Sequence, residues 1–187
     1  MTGWCTQDLM PGINQQGMIP VSNKLRIGGI TANSVVDGPG LRTVVFLQGC
    51  PRHCPGCHNP DLLDSNGGRE VTIEEALAEI RASISPITQG ITFSGGDPLL
   101  QPEALHQLVV QLKQDFPHLD IWVYTGYKYD EVKHLPVLDL IDVLVDGPFE
   151  QDKKDLELAF RGSANQRLID LPKTRRAGQV VEWQPGW

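Results

Sequence analysis

Apolar positions along this chain switch period several times. Short, nearly continuous apolar runs at residues 25–30, 43–48, 90–94, 120–124 and 142–145 predict strands, several of them buried on both faces. Helical spacing appears between them. Thr72 followed by Glu75 predicts a capping box, after which Ile73, Ala76, Leu77, Ile80 and Ile84 share one face. A second helix begins after Pro102 with Leu105, Leu108, Val109 and Leu112 as its buried stripe, and a shorter one is expected over residues 129–134.

Strands alternating with helices through short links predict an α/β fold with a mostly parallel sheet and right-handed crossovers. A closed eight-fold β/α barrel takes about 250 residues. The 187 residues here therefore predict an open, partial barrel. Residues 1–24 carry Pro11, Gly12, Gly17 and Pro20 without sustained periodicity and read as an irregular extension, leaving 25–187 as one domain.

Composition narrows the function. Sixteen Lys and Arg against 23 Asp and Glu give a net charge of -7, the wrong balance for a phosphate backbone, so nucleic acid is not an expected partner. No apolar run approaches the roughly 20 residues that span a bilayer, and the polar start has no signal-peptide core, so a cytoplasmic protein without a membrane partner is expected. In a reducing compartment four cysteines do not suggest a disulfide framework. Three of them fall between positions 50 and 57, which suits metal or redox chemistry.

That cluster reads Gly49-Cys50-Pro51-Arg52-His53-Cys54-Pro55-Gly56-Cys57-His58-Asn59, directly after a predicted strand. Prolines and glycines bend the loop so that three thiolates can converge, and the carboxyl ends of strands are where α/β folds gather ligands. Three thiolates satisfy three irons of a [4Fe–4S] cube and leave the fourth open. The spacing alone also permits a Cys3His zinc site completed by His53 or His58. Cys5, remote and unpaired, is left out of either site.

A second signal closes the next strand: Ser94 runs into Gly95-Gly96-Asp97-Pro98, where paired glycines let backbone approach a ligand, although a plain tight turn explains the motif taken alone. Together the Cys-x3-Cys-x2-Cys loop and the Gly-Gly-Asp motif resemble the radical S-adenosylmethionine (SAM) superfamily. Residues 36–42, Val-Asp-Gly-Pro-Gly-Leu-Arg, and Cys57-His58-Asn59 resemble its glycyl-radical-enzyme activases. Tyr124-Thr125-Gly126-Tyr127, the block at residues 142–147 and the block at residues 161–167 are most similar to the activating proteins of anaerobic ribonucleoside-triphosphate reductase. Two features depart from the common pattern. The segment before Leu25 is long, and Gly56 stands where many radical SAM enzymes place an aromatic residue; the reductase activases often have glycine there too.

The resemblance implies an enzyme of partial-barrel fold in which Cys50, Cys54 and Cys57 hold a [4Fe–4S] cluster and Gly56, His58, Asn59, Ser94, Gly95, Gly96, Asp97 and Thr125 surround SAM. It further implies reductive SAM cleavage, a flavodoxin or ferredoxin as electron donor, and installation of a glycyl radical on an anaerobic ribonucleotide reductase. Activation of another glycyl radical enzyme, or a small-molecule reaction like that of the 7-carboxy-7-deazaguanine synthases, is the alternative. Asp37, Arg42 and Asp146 sit in the same blocks and are candidates for ligand contact, with turn and capping duties as the alternative for Asp37 and Asp146. Arg161, Asn165 and Arg167 either reach the cofactor or partner, or the arginines pair with the acidic stretch at 152–157. His106, His118 and His134 have no convergent partners and read as surface or helix-face histidines.

Overall fold

The computed structural model describes residues 23–185; most of the expected extension, with Cys5, lies outside them. Seven strands form one sheet in the order β3-β1-β2-β4-β5-β6-β7: β1 (Lys24–Ser34), β2 (Arg42–Leu47), β3 (Arg69–Thr72), β4 (Gly90–Gly95), β5 (Asp120–Tyr124), β6 (Val143–Asp146) and β7 (Arg167–Asp170). Neighbours from β2 to β6 pair in parallel. Antiparallel pairing adds β1 and then β3 at one edge and β7 at the other, so that five strands run one way and β1 and β7 run against them. The sheet is thus the open, mostly parallel α/β array that strand–helix alternation predicts.

Helices α1 (Ile73–Ser83) and α2 (Pro102–Asp115) cover one face. Thr72 Oγ1 accepts from Glu75 N while the Glu75 carboxylate accepts from Thr72 N, which is the capping box expected of this pair. Both apolar stripes are buried as predicted. Helix α3 is a single turn, Tyr129–Val132, shorter than the expected 129–134. Helix α4 (Leu171–Ala177) was not expected; Asp170 caps its start and Gly178, left-handed at φ 68°, ends it.

Alternation along the strands divides the core. Val45, Leu47, Ile91, Phe93, Ile121, Val123, Leu144 and Ile169 meet the helices. On the other face Trp122, Val143, Val145 and Leu168 pack with Tyr124, Phe160 and Trp183. The Phe160 and Trp183 rings stand edge-on to Trp122 at 5.6 and 5.0 Å. Arg42, fully buried on this face, lies 5.3 Å from the Trp122 ring centroid. Among the described residues no helix is long and apolar enough to cross a membrane.

Candidate functional site

Register sets the site. In the parallel β2–β4 pair Leu47 lies opposite Gly95, and in β4–β5 Phe93 lies opposite Val123. The segments leaving these strands, Gln48–Cys50, Gly96–Asp97 and Thr125–Tyr127, therefore emerge at one level along the carboxyl edge. Backbone bonds stitch them together. Gly96 N and Asp97 N donate to Leu47 O and Gly49 O, each at 2.8 Å, while Gly49 N and Cys50 N donate to Leu62 O and Leu63 O at 2.9 and 3.1 Å. Asn59 Nδ2 donates to Gly95 O at 3.2 Å, joining the far side of the cysteine loop to β4. A Cβ on Gly96 would stand 2.2 Å from Gly49 O, so this crossing needs a residue without a side chain.

A cavity of about 540 Å³ opens over this edge and along the uncovered sheet face. Cys50, Cys54 and Cys57, free and half-buried, all line it, together with His58, Asn59, Ser94, Gly95, Gly96 and Thr125. Of the nine other residues that sequence patterns point to around SAM or for the zinc alternative, these six line the cavity, and Gly56, Asp97 and His53 do not. Gly56 bends the cysteine loop at φ 71°, with Gln151 packed where its side chain would be. His53 is exposed and is not among the residues that line the cavity.

Asp97 is fully buried, and its carboxylate is occupied. Thr125 Oγ1 donates to it at 2.9 Å, Gly126 N at 3.0 Å and Leu99 N at 3.1 Å. Burial raises its pKa above the ordinary carboxylate value while these donors hold it down. The side chain therefore ties β4 to β5, and it is the flanking backbone that faces the cavity. Burial likewise pushes the Cys50 thiol up, opposed by a backbone N–H bond from Arg52 that favours the thiolate.

Of the other candidates, Arg42 starts β2 at the end opposite the cysteines. It donates to Thr92 Oγ1, to the carbonyls of Pro39 and Ile91 and to Asp120, which makes it part of the core. Asp146 accepts from Arg167 and from Tyr129 N, a capping and pairing duty, so Arg167 does not pair with the 152–157 stretch. Asp37 and Arg161 line the cavity; Arg161 Nη1 donates to Gln166 O, but its buried Nε has no partner. Asn165 donates to Pro148 O. Sequence reasoning passed over Arg52, Phe149 and Gly126, all three of which line the cavity. Arg52 sits inside the cysteine motif, Gly126 inside the Tyr124–Tyr127 block and Phe149 two residues past the 142–147 block, and those positions are the only signals the sequence carries for them.

The donor set fits a cluster better than a single ion. Among the described residues no three His, Cys, Asp or Glu side chains gather as ligands of one metal ion do. A [4Fe–4S] cube asks for another arrangement, since each thiolate binds its own iron.

The family model for a 4Fe-4S single cluster domain matches residues 36–169. The anaerobic ribonucleoside-triphosphate reductase-activating protein of Escherichia coli K12 is 44% identical over 144 residues, covering 73% of this chain and 93% of that protein. The proteins of that name from Salmonella typhimurium and Enterobacteria phage T4 are 45% and 40% identical, covering 73% and 71% of this chain and 93% and 86% of theirs. A crystal structure of QueE from Escherichia coli aligns with a TM-score of 0.45 at 17% identity, over 55% of this chain and 53% of that one. With the cysteine loop and the Gly-Gly-Asp turn inside the matched region, the chain belongs to the family of anaerobic ribonucleoside-triphosphate reductase-activating proteins.

Proposed function

We propose that this chain is a radical SAM activase that installs a glycyl radical on an anaerobic ribonucleoside-triphosphate reductase. The observation that carries the reading is the shared cavity: three half-buried cysteines and the ends of β4 and β5 face one open space. Cys50, Cys54 and Cys57 would hold the cluster. The bound cluster and SAM supply reductive cleavage of the sulfonium, chemistry that side chains alone cannot perform.

What the chain contributes is placement. The amides of Gly96 and Asp97 are already spent on Leu47 and Gly49, so the strand edge offers acceptors rather than donors to a ligand, which suits the α-ammonium of SAM. Phe46, Tyr124, Phe149, Leu158 and Phe160 form the aromatic and aliphatic part of the cavity lining, and cover of its open mouth by a partner would complete the exclusion of water. Its mouth carries Val36 and Leu156, which are 73% and 84% exposed. Exposed apolar residues at the rim suit cover by a protein partner. A flavodoxin or ferredoxin is the expected electron donor.

The test is gain of function by the partner. The anoxically reconstituted chain, SAM and a reductant should confer ribonucleotide reduction on the reductase of the same organism, and omission of SAM should abolish it. A reductase that stays inactive while SAM is consumed would count against this reading.

A further inference from the structure

Arg52 lies within the cysteine loop, two residues from both Cys50 and Cys54, and lines the cavity. Its guanidinium carbon stands 4.0 Å from the centroid of the Tyr127 ring. Its stem runs over Gly126, where a Cβ would come within 2.7 Å of Arg52 Cδ. Asp97 Oδ2 is 3.8 Å away, beyond hydrogen-bonding distance, and that carboxylate already accepts from Thr125, Gly126 and Leu99. The guanidinium is thus held from behind by a ring and a buried negative charge. Among the described residues no hydrogen bond claims its side-chain N–H groups, and the side chain is only 24% exposed.

A guanidinium fixed in this way, with donors to spare beside a cavity, is built to receive an anion. The other arginine on the cavity wall, Arg161, donates Nη1 to Gln166 O and keeps a buried Nε without a partner, but it belongs to the β6–β7 connection rather than to the cysteine loop. Resting on the activase reading, in which the methionine half of SAM meets the open iron beside the cysteines, we propose that Arg52 binds the α-carboxylate of that half. Tyr127 and Asp97 then act as positioning residues, the ring as a platform and the carboxylate as a counter-charge that keeps Arg52 in place. The small residue at Gly126 is what lets the arginine lie flat against the β5 end.

Binding, rather than turnover, tests this. S-adenosylhomocysteine carries the carboxylate and 5′-deoxyadenosine lacks it, so both are titrated against reconstituted wild type, Arg52→Met, Arg52→Lys and Arg161→Met. Arg52→Met should weaken S-adenosylhomocysteine roughly tenfold or more, the worth of a charge-assisted hydrogen bond. It should leave 5′-deoxyadenosine unchanged, and Arg52→Lys should recover part of the loss. Equal affinity for S-adenosylhomocysteine in wild type and Arg52→Met overturns the assignment, as does a loss shared equally by the two ligands or confined to Arg161→Met. If Arg52→Met does not load iron, Tyr127→Leu decides: it keeps the charge, removes the platform, and should weaken S-adenosylhomocysteine selectively, whereas an unchanged affinity overturns the proposal. Wild type that binds neither ligand would sink the activase reading itself, and this inference with it.

Discussion

The Asp97 carboxylate and the Thr125 hydroxyl meet at 2.9 Å between the ends of β4 and β5, both fully enclosed by protein. Burial holds the Asp97 pKa above its ordinary 3.8, so the folded chain binds that proton more tightly than the unfolded chain does. The stability this adds is complete below pH 3.8 and is lost as pH rises through the folded pKa. Asp97→Asn has no such proton. The stability difference between wild type and Asp97→Asn should therefore shift against wild type as pH rises above 3.8, measured by urea unfolding of the apo-protein across the acid range. A difference that grows in favour of wild type over that window would contradict the burial argument.

Each of Cys50→Ala, Cys54→Ala and Cys57→Ala should abolish reductive SAM cleavage and lower the iron retained after anoxic reconstitution, because a cluster iron loses its protein ligand. Cys5→Ala should be nearly silent. Iron analysis and methionine release read both, and equal loss in all four variants would mean the cluster ligands are misplaced.

Gly96→Ala should be severe where Gly29→Ala is mild. The new Cβ at 96 would press on Gly49 O at 2.2 Å and Leu62 O at 2.7 Å, both backbone atoms that cannot swing aside, whereas nothing lies within 4 Å at Gly29. Overpacking of this kind costs about 1–3 kcal/mol and would splay the cysteine loop from β4. Gly29→Ala should stay within about 0.5 kcal/mol of wild type. Thermal melts with iron content separate the two effects.

Arg42→Met should cost about 3 kcal/mol in stability, since it leaves the Ile91 and Pro39 carbonyls and the Thr92 hydroxyl without their buried donor. The folded fraction should bind S-adenosylhomocysteine as wild type does. A selective loss of binding without a change in the melting curve would return Arg42 to the ligand site.

Much of this was legible in the sequence because the strands of the parallel core are apolar throughout and the two long helices carry full stripes. The edges were not. β3, Arg-Glu-Val-Thr, and β7, Arg-Leu-Ile-Asp, hold one and two buried apolar residues, too few to show a period, and are recruited by pairing with β1 and β6. Helix α4 has cap signals, Asp170 and Gly178, but its sequence Leu-Pro-Lys-Thr-Arg-Arg-Ala has no apolar stripe. At the site, the cysteines and glycines were readable because their chemistry is local. Arg42 and Asp146 were not, because which end and face of a strand a polar residue occupies depends on register. Arg52 was hidden for a similar reason: the ring beneath it belongs to a loop 75 positions further on.

Transfer of radical character to a glycine of the partner is read directly by electron paramagnetic resonance. Reconstituted chain, SAM, a reductant and the anaerobic reductase of the same organism are mixed without oxygen and frozen. The expected spectrum is a glycyl doublet that requires both proteins and SAM and that disappears with Cys54→Ala. SAM cleavage at full rate with no doublet on that reductase would contradict it.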